Sequence, residues 1–408
     1  MNEGEAPWRE VTLGSIASVT RGASPRPINS PRWFSSDSTV GWVRISDVSR
    51  SNGRTLNETS QKLSQEGIAR SRYLQPGTLI MSIAATVGVP VITGIPSCIH
   101  DGFVALEDLS VDKRFLLYQL KASERELRSS GQAGSQANVN TSIVKALTLR
   151  VPSDSAEQRR IAQAMNDVDE LISGIERLVT KKKAIKLGIL QELLTGRKRL
   201  PGWRGDWTET TVGSLGSMLK GRGIRRDDVR QSGVPCIRYG ELYTTYQDYT
   251  GQTVSYVDPD MAATALPIHY GDLLFAGSGE TKEDIGMCLG YVGQVPAVAG
   301  GDIIVLRGQG YDPVFMASLL NLPALAGEKA RAGQGDAVVH ISSRAIAALK
   351  ILIPSLPEQS AIAEAICNAD QEVRILLTKL EKMNSIRQGM MQELLTGRTR
   401  LKDHEVVM

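Results

Sequence analysis

Apolar positions follow two different rhythms along this 408-residue chain. Over residues 1–156, and again over 201–357, they come as short runs punctuated by glycine, proline, serine and aspartate. Gly41-Trp42-Val43-Arg44-Ile45, Gly77-Thr78-Leu79-Ile80-Met81, Gly271-Asp272-Leu273-Leu274-Phe275 and Asp302-Ile303-Ile304-Val305-Leu306 are examples. Apolar and β-branched runs bounded by turn formers predict strands. Short helices are predicted at Arg114–Arg128 and Pro313–Arg331. Each stretch is therefore expected to be a compact α+β globule in which strands predominate.

From Glu157 to Thr195 the rhythm changes. No proline interrupts, and the stripe advances by alternating steps of four and three: Ile161, Met165, Val168, Ile172, Ile175, Val179, then Lys182 and Lys186, then Ile189 and Leu193. A second stripe repeats it as Ile362, Ile366, Ala369, Val373, Leu376, Leu380, Met383, Arg387, Met390 and Leu394. Such steps, sustained over more than four heptads, predict a coiled-coil seam. Pro152 and Pro354 precede the helices, and Thr195-Gly196 and Thr396-Gly397 stop them. At about 1.5 Å per residue each helix is roughly 58 Å long. Two helices of equal length with matched seams are expected to pack on each other. They can run antiparallel, with the globules at opposite ends, or parallel, with both at one end. The polar seam positions Lys182, Lys186 and Arg387 can set register, or can be snorkelling surface.

The two stripes belong to a larger duplication. QELLTGR occurs at Gln191–Arg197 and again at Gln392–Arg398, 201 positions later. Glu157-Gln158, Ile161 and Gly188 recur at that offset as Glu358-Gln359, Ile362 and Gly389. The front of each copy matches at offset 199: Trp8, Glu10, Thr12, Gly14, Ser15 and Gly22 return as Trp207, Glu209, Thr211, Gly213, Ser214 and Gly221. The chain is two half-molecules in tandem, with expected segments 1–156, 157–200, 201–357 and 358–408.

Composition is that of an ordinary globular protein, with 41% hydrophobic and 22% charged residues. The four cysteines, Cys98, Cys236, Cys288 and Cys367, lack metal-ligand spacing and suggest a reducing cytoplasm. No signal peptide and no membrane span are expected. Net charge is only +3, but it is unevenly placed. Arg9 to Arg72 carries ten basic residues against five acidic ones, and Lys220–Arg230 five against two. Both stretches lie in the front part of their copy, which suits a polyanion-binding face.

No catalytic constellation is present. There is no phosphate loop, no nucleophile elbow, no HExxH and no [DNS]PP[YFW] methyltransferase motif. His100-Asp101 looks like an acid/base pair, but the second copy has Gly300-Gly301 there, so a structural role is favoured. The loops are more informative. Gly22 to Trp42 spans twenty positions and the matching Gly221 to Cys236 fifteen. RGASPRPINSPRWF and KGRGIRRDDVRQSG differ in sequence but share a basic, surface-loop character. A second polar loop, GQAGSQANVN, is matched by GQGDAVVH. Unlike loops on matched frameworks suit two readers of different DNA words.

The residues just described also resemble the specificity subunits of type I restriction–modification systems. The match is carried by Trp8 with Leu13-Gly14, by Arg199-Leu200-Pro201-Gly202-Trp203 followed by Trp207, by the proline ahead of Glu-Gln at each helix start, and by both QELLTGR helix ends. It covers essentially the whole chain. The resemblance implies two target-recognition domains separated by an antiparallel pair of long helices, each domain reading half of a split, asymmetric site in double-stranded DNA. It further implies two modification subunits that bind S-adenosylmethionine and methylate adenine, and restriction subunits using ATP and Mg. The chain itself would be non-catalytic, would bind no metal or cofactor, and would act in the cytoplasm. The tail Thr399–Met408 is short, so contact between the two chain ends is expected to be modest.

On this reading the DNA contacts come from Arg21, Arg26, Arg32 and Arg44, with Gln132, Gln136 and Asn138, in the first copy. In the second they come from Lys220, Arg222, Arg225, Arg226, Arg238 and Gln334. Arginine binds guanine edges bidentately or contacts phosphate, and the amide side chains either read adenine or cap turns. Ile161, Met165, Ile172, Ile189, Leu193, Ile362, Ile366, Leu376, Leu380 and Leu394 are expected to join the helices or dock subunits. The rival readings are a stand-alone DNA-binding regulator with tandem recognition domains and a coiled-coil interaction scaffold. A fused nuclease or methyltransferase is disfavoured by the missing motifs.

Overall fold

The computed structural model describes residues 7–51, 54–129, 139–335 and 339–401, and its contacts divide the chain into two units. Unit 1 runs as far as Glu176 and takes the chain back from Thr378, whereas unit 2 is Arg177–Leu377. Each unit thus combines one globular region with a stretch of each long helix.

In unit 1 the globular region opens and closes on one strand pair. Trp8–Thr12 lies antiparallel to Thr148–Pro152, with Trp8 opposite Pro152. A five-stranded sheet has the order Ser18–Arg21, Phe103–Glu107, Leu79–Ser82, Pro90–Thr93, Thr55–Leu56. A four-stranded sheet has the order Gln61–Lys62, Gly41–Val43, Ser97–Ile99, Arg72–Leu74. The strands Gly41–Val43 and Leu79–Ser82 are buried at every position, which is why they read as continuous apolar runs rather than alternations.

Unit 2 repeats the plan. Thr208–Thr211 pairs with Lys350–Ile353. Its five-stranded sheet runs Gly216–Lys220, Ile303–Gly308, Leu273–Ala276, Cys288–Tyr291, Tyr249–Thr250. Its four-stranded sheet runs Ser255–Val257, Val234–Ile237, Ala297–Ala299, Leu266–Ile268. Trp42 pairs in parallel with Cys98, and Cys236 with Val298, so Trp42 and Cys236 occupy one structural position, as the matching of the two loops required.

Two short helices, α1 (Lys113–Ala122) and α3 (Pro313–Leu320), and the two long helices that carry the seams, α2 (Ser155–Leu193) and α4 (Leu356–Leu394), pack with these sheets. The long helices α2 and α4 each have 39 residues. They begin and end two residues earlier than the sequence pattern predicts. At the start of α2 the Asp154 carboxylate accepts the amides of Ala156 (2.8 Å) and Glu157 (3.1 Å). Past their last turns, Gly196 and Gly397 take the left-handed conformation, at φ 68° and 71°.

The duplicated residues have identical tasks. Gln158 Oε1 accepts the Asp112 amide at 2.7 Å while its Nε2 donates to Pro152 O at 2.9 Å. Gln359 does the same for Asp312 (3.0 Å) and Pro354 (3.0 Å). Asp112 and Asp312 in turn cap α1 and α3. Each glutamine therefore ties the start of a long helix to the start of a short one. The twin leucines of QELLTGR are buried in the cores, Leu394 and Leu395 in unit 1 and Leu193 and Leu194 in unit 2. Each such side chain contributes roughly 1.5–3 kcal/mol.

Within each unit the helix segments run antiparallel. In unit 1, Glu157 meets Arg400 and Asp169 meets Arg387. In unit 2, Lys182 meets Glu372, Lys186 meets Asp370 and Arg199 meets Glu358. The polar seam positions Lys182, Lys186 and Arg387 are thus engaged in ion pairs, as a register-setting role requires. Ile161, Met165, Ile172, Leu193, Ile362, Ile366 and Leu394 are buried, and Leu376 and Leu380 are half-buried. Ile189 departs from the expectation: it is 39% exposed, and Leu190 packs on the unit 2 core instead. A straight helix turns every 3.6 residues, so a 3.5-residue stripe drifts off the buried face near its end.

The contact between the chain's two ends is also more extensive than expected. In unit 1, Arg400 holds Glu157, Leu401 joins the core, and Gly397 lies against the Trp8 ring. Three residues past the glycine turn are enough to reach Glu157.

Candidate nucleic-acid interface

Both basic loops leave their frameworks at a glycine that no other residue can replace. A Cβ on Gly22 would stand 2.1 Å from His100 O, and one on Gly221 2.0 Å from Gly300 O. Past that point each loop is anchored by one apolar side chain that the sequence reading overlooked. In unit 1, Trp33 is fully buried with Trp42, Leu63 and Cys98, and its indole N–H donates to Pro27 O at 2.8 Å. In unit 2, Ile224 packs among Cys236, Val257, Ala265 and Val298. A tryptophan inside a Pro/Ser/Arg-rich run was the available signal.

In unit 1, Asp101 organises the cations. It accepts Ser24 Oγ at 2.6 Å and pairs with Arg26 at 3.3 Å, and its carbonyl accepts Arg21 Nε at 2.8 Å. The Ser24 hydrogen bond, foremost, holds the Asp101 carboxyl below its ordinary pKa. Arg32 lies over Trp33, 3.9 Å from the ring centroid, and 3.9 Å from Glu66. His100 has a structural part: its Nδ1 accepts the Gly102 amide at 2.9 Å and its ring packs on Phe103 and Trp42. Burial lowers its pKa.

In unit 2, Lys220, Arg222, Arg225 and Arg226 are exposed, and among the described residues none of their side chains has an ion-pair partner. Arg230, by contrast, pairs with Asp258 at 3.0 Å. Lys220 borders a cavity of about 360 Å³ whose lining includes Asp302, Ser278 and His340, with Ser278 Oγ 2.8 Å from His340 Nδ1. Gln334 is exposed and exchanges backbone hydrogen bonds with His340.

Arg44 and Arg238 occupy one position in the two units. Each backbone amide donates to the carboxylate three residues on, Asp47 (3.0 Å) or Glu241 (3.1 Å). Their guanidinium groups are held by Gln61 (2.9 Å) and Glu241 (2.8 Å). The structure therefore ties this pair to the framework and leaves the unit 2 loop cations open. Gln132, Gln136 and Asn138 lie outside the described residues.

Residues 5–187 match the family model described as the type I restriction modification DNA specificity domain. Two relatives come from Methanocaldococcus jannaschii. The type I restriction enzyme MjaVIII specificity subunit is 22% identical, over 72% of this chain and 72% of its own length. The putative MjaX specificity subunit is also 22% identical, over 84% and 83%. Among solved structures, the type I restriction-modification S subunit from M. genitalium superposes with a TM-score of 0.61 at 14% identity, covering 97% of this chain and 98% of its own. A chain from a type I R-M system complex reaches 0.59 at 16% identity, covering 96% and 99%. Residues 5–187 thus match the specificity-domain model, and with its duplicated framework and paired long helices the chain as a whole is similar to the specificity subunits of type I restriction–modification systems.

Proposed function

We propose that this chain recognises a bipartite, asymmetric site in double-stranded DNA, one half through each unit, and directs adenine methylation and restriction by partner subunits. The observation that carries this reading is the repeated placement of a basic loop at the same framework glycine, Gly22 and Gly221, with Lys220, Arg222, Arg225 and Arg226 open to a polyanion. Arg21, Arg26 and Arg32 serve in unit 1, where Asp101 and Trp33 limit their freedom. Salt-sensitive affinity comes from phosphate contacts, and discrimination of about 1–3 kcal/mol comes from each good bidentate base contact.

The expected partners are two modification subunits, carrying S-adenosylmethionine, and restriction subunits using ATP and Mg. On this proposal the long helices set the gap between half-sites, and the action takes place in the cytoplasm. Mapping methylated adenines genome-wide, with and without the gene, tests the proposal: a split asymmetric motif should vanish with it. Persistence of every methylated motif would favour the stand-alone regulator instead.

A further inference from the structure

Equivalent positions in the two units surround matched aspartates with different charge. In unit 1 the aspartate is Asp169, on α2, only 1% exposed. Tyr118 Oη donates to it at 3.1 Å, and three cations crowd the same carboxylate: Lys121 and Arg387, each at 3.4 Å, and Arg54 at 3.8 Å. In unit 2 the residue 201 positions on is Asp370, which takes Tyr249 Oη at 3.2 Å and Lys186 Nζ in a close ion pair.

The surrounding positions correspond one by one. Lys186 matches Arg387, at offset 201. Asn321 stands where unit 1 has Lys121, and Ser318 where it has Tyr118, both at offset 200. Asp248 stands where unit 1 has Arg54, since the carbonyls of these two accept the matching strand amides of Gly290 (2.9 Å) and Ile92 (2.8 Å). In unit 2, Ser318 and Asn321 donate to Asp248, at 3.0 and 2.9 Å. Three cations against one carboxylate leave unit 1 with a surplus of two positive charges. In unit 2 Lys186 answers Asp370 and the buried Lys329 acts on Asp248, so two cations face two carboxylates and no positive surplus remains.

One carboxylate cannot saturate three cations. The unit 1 contacts are long, and Arg54 Nε is buried with no hydrogen-bond partner among the described residues. Burial lowers the Lys121 pKa, Asp169 opposes that shift, and Arg54 and Arg387 add to it by repulsion. Tyr118, Lys121, Asp169 and Arg387 line a cleft of about 330 Å³, walled by Val89 and Met391 among others. The cleft's other carboxylate, Glu124, is tied to Arg128.

We propose that this cleft in unit 1 binds a phosphate-class oxyanion, held by Lys121 and Arg387 with Arg54 behind them. A guanidinium fork and an ammonium on different elements suit a tetrahedral anion. The same chemistry is offered by free phosphate and by a DNA backbone phosphate. The test is calorimetric titration of inorganic phosphate into the full chain, at constant ionic strength set with chloride. Saturable binding at one site is expected, weakened about tenfold or more by Lys121→Asn, which installs the unit 2 residue. If that variant does not fold, phosphorus-31 line broadening of phosphate by the wild-type chain, competed by sulfate, decides the matter. Displacement of phosphate by a short duplex identifies the backbone as the source, and binding of the duplex without displacement identifies the free ion. No saturable binding to the wild-type chain, or unchanged affinity in folded Lys121→Asn, would overturn the proposal.

Discussion

Arg400 grips both carboxylate oxygens of Glu157, which lies 243 positions earlier in the sequence. Glu157 is almost fully buried and also accepts the Trp8 indole N–H at 3.2 Å. In unit 2 Arg199 grips Glu358 in the same two-point manner. Each clamp closes the end of one long helix over the start of the other.

Removing one partner of such a clamp leaves a buried carboxylate without its cation. Arg400→Ala is expected to destabilise unit 1 by about 3 kcal/mol, read as a shift in the urea unfolding midpoint. Lys198→Ala breaks only an exposed pair with Glu192 and should leave that midpoint near the wild-type value. Equal effects of the two substitutions would contradict the assignment of the clamp.

The seam makes a graded prediction. Leu394→Asp places a charge in the unit 1 core and should cost about 3 kcal/mol or more, with loss of methylation directed by the complex. Ile189→Asp, on the exposed side of α2, should stay within about 0.5 kcal/mol. Thermal unfolding of the two variants side by side checks this, and normal methylation by Leu394→Asp would refute the spacer reading.

The unit 2 loop should govern salt dependence. Replacing Arg222, Arg225 and Arg226 by alanine should weaken duplex binding and lower the slope of log K against log salt by about 0.9 for each phosphate that these side chains neutralise. Fluorescence anisotropy between low and moderate salt measures it. An unchanged slope would remove these residues from the interface. Exchanging the loops between units, in contrast, should change the methylated word.

His100 carries a pH prediction. Its folded pKa lies below the unfolded value, so the unfolded chain binds more protons across that interval and stability rises with pH there. The contribution is present above the unfolded pKa of about 6.5 and is lost as pH falls through the lower folded pKa. Denaturation at about pH 8 and about pH 5 should show the loss in the wild type, and a smaller one in His100→Asn.

The sequence by itself determined the duplication, both long helices, their seam and the position of the basic loops. These are local properties: a stripe at 3.5-residue spacing, or a glycine after the last turn, acts on neighbours in the chain. Asp169 and Asp370, at offset 201, are matched acidic positions on the two long helices, yet the Asp169 partners Tyr118, Arg54 and Lys121 cannot be found by periodicity. Likewise Arg44, Arg238 and Arg222 look alike as basic residues near a loop. Only the tertiary structure decided that Gln61 and Glu241 hold the first two while the third stays open. Which cations are neutralised and which are free depends on groups brought together from distant parts of the chain, and that information lies in the packing of sheets and helices.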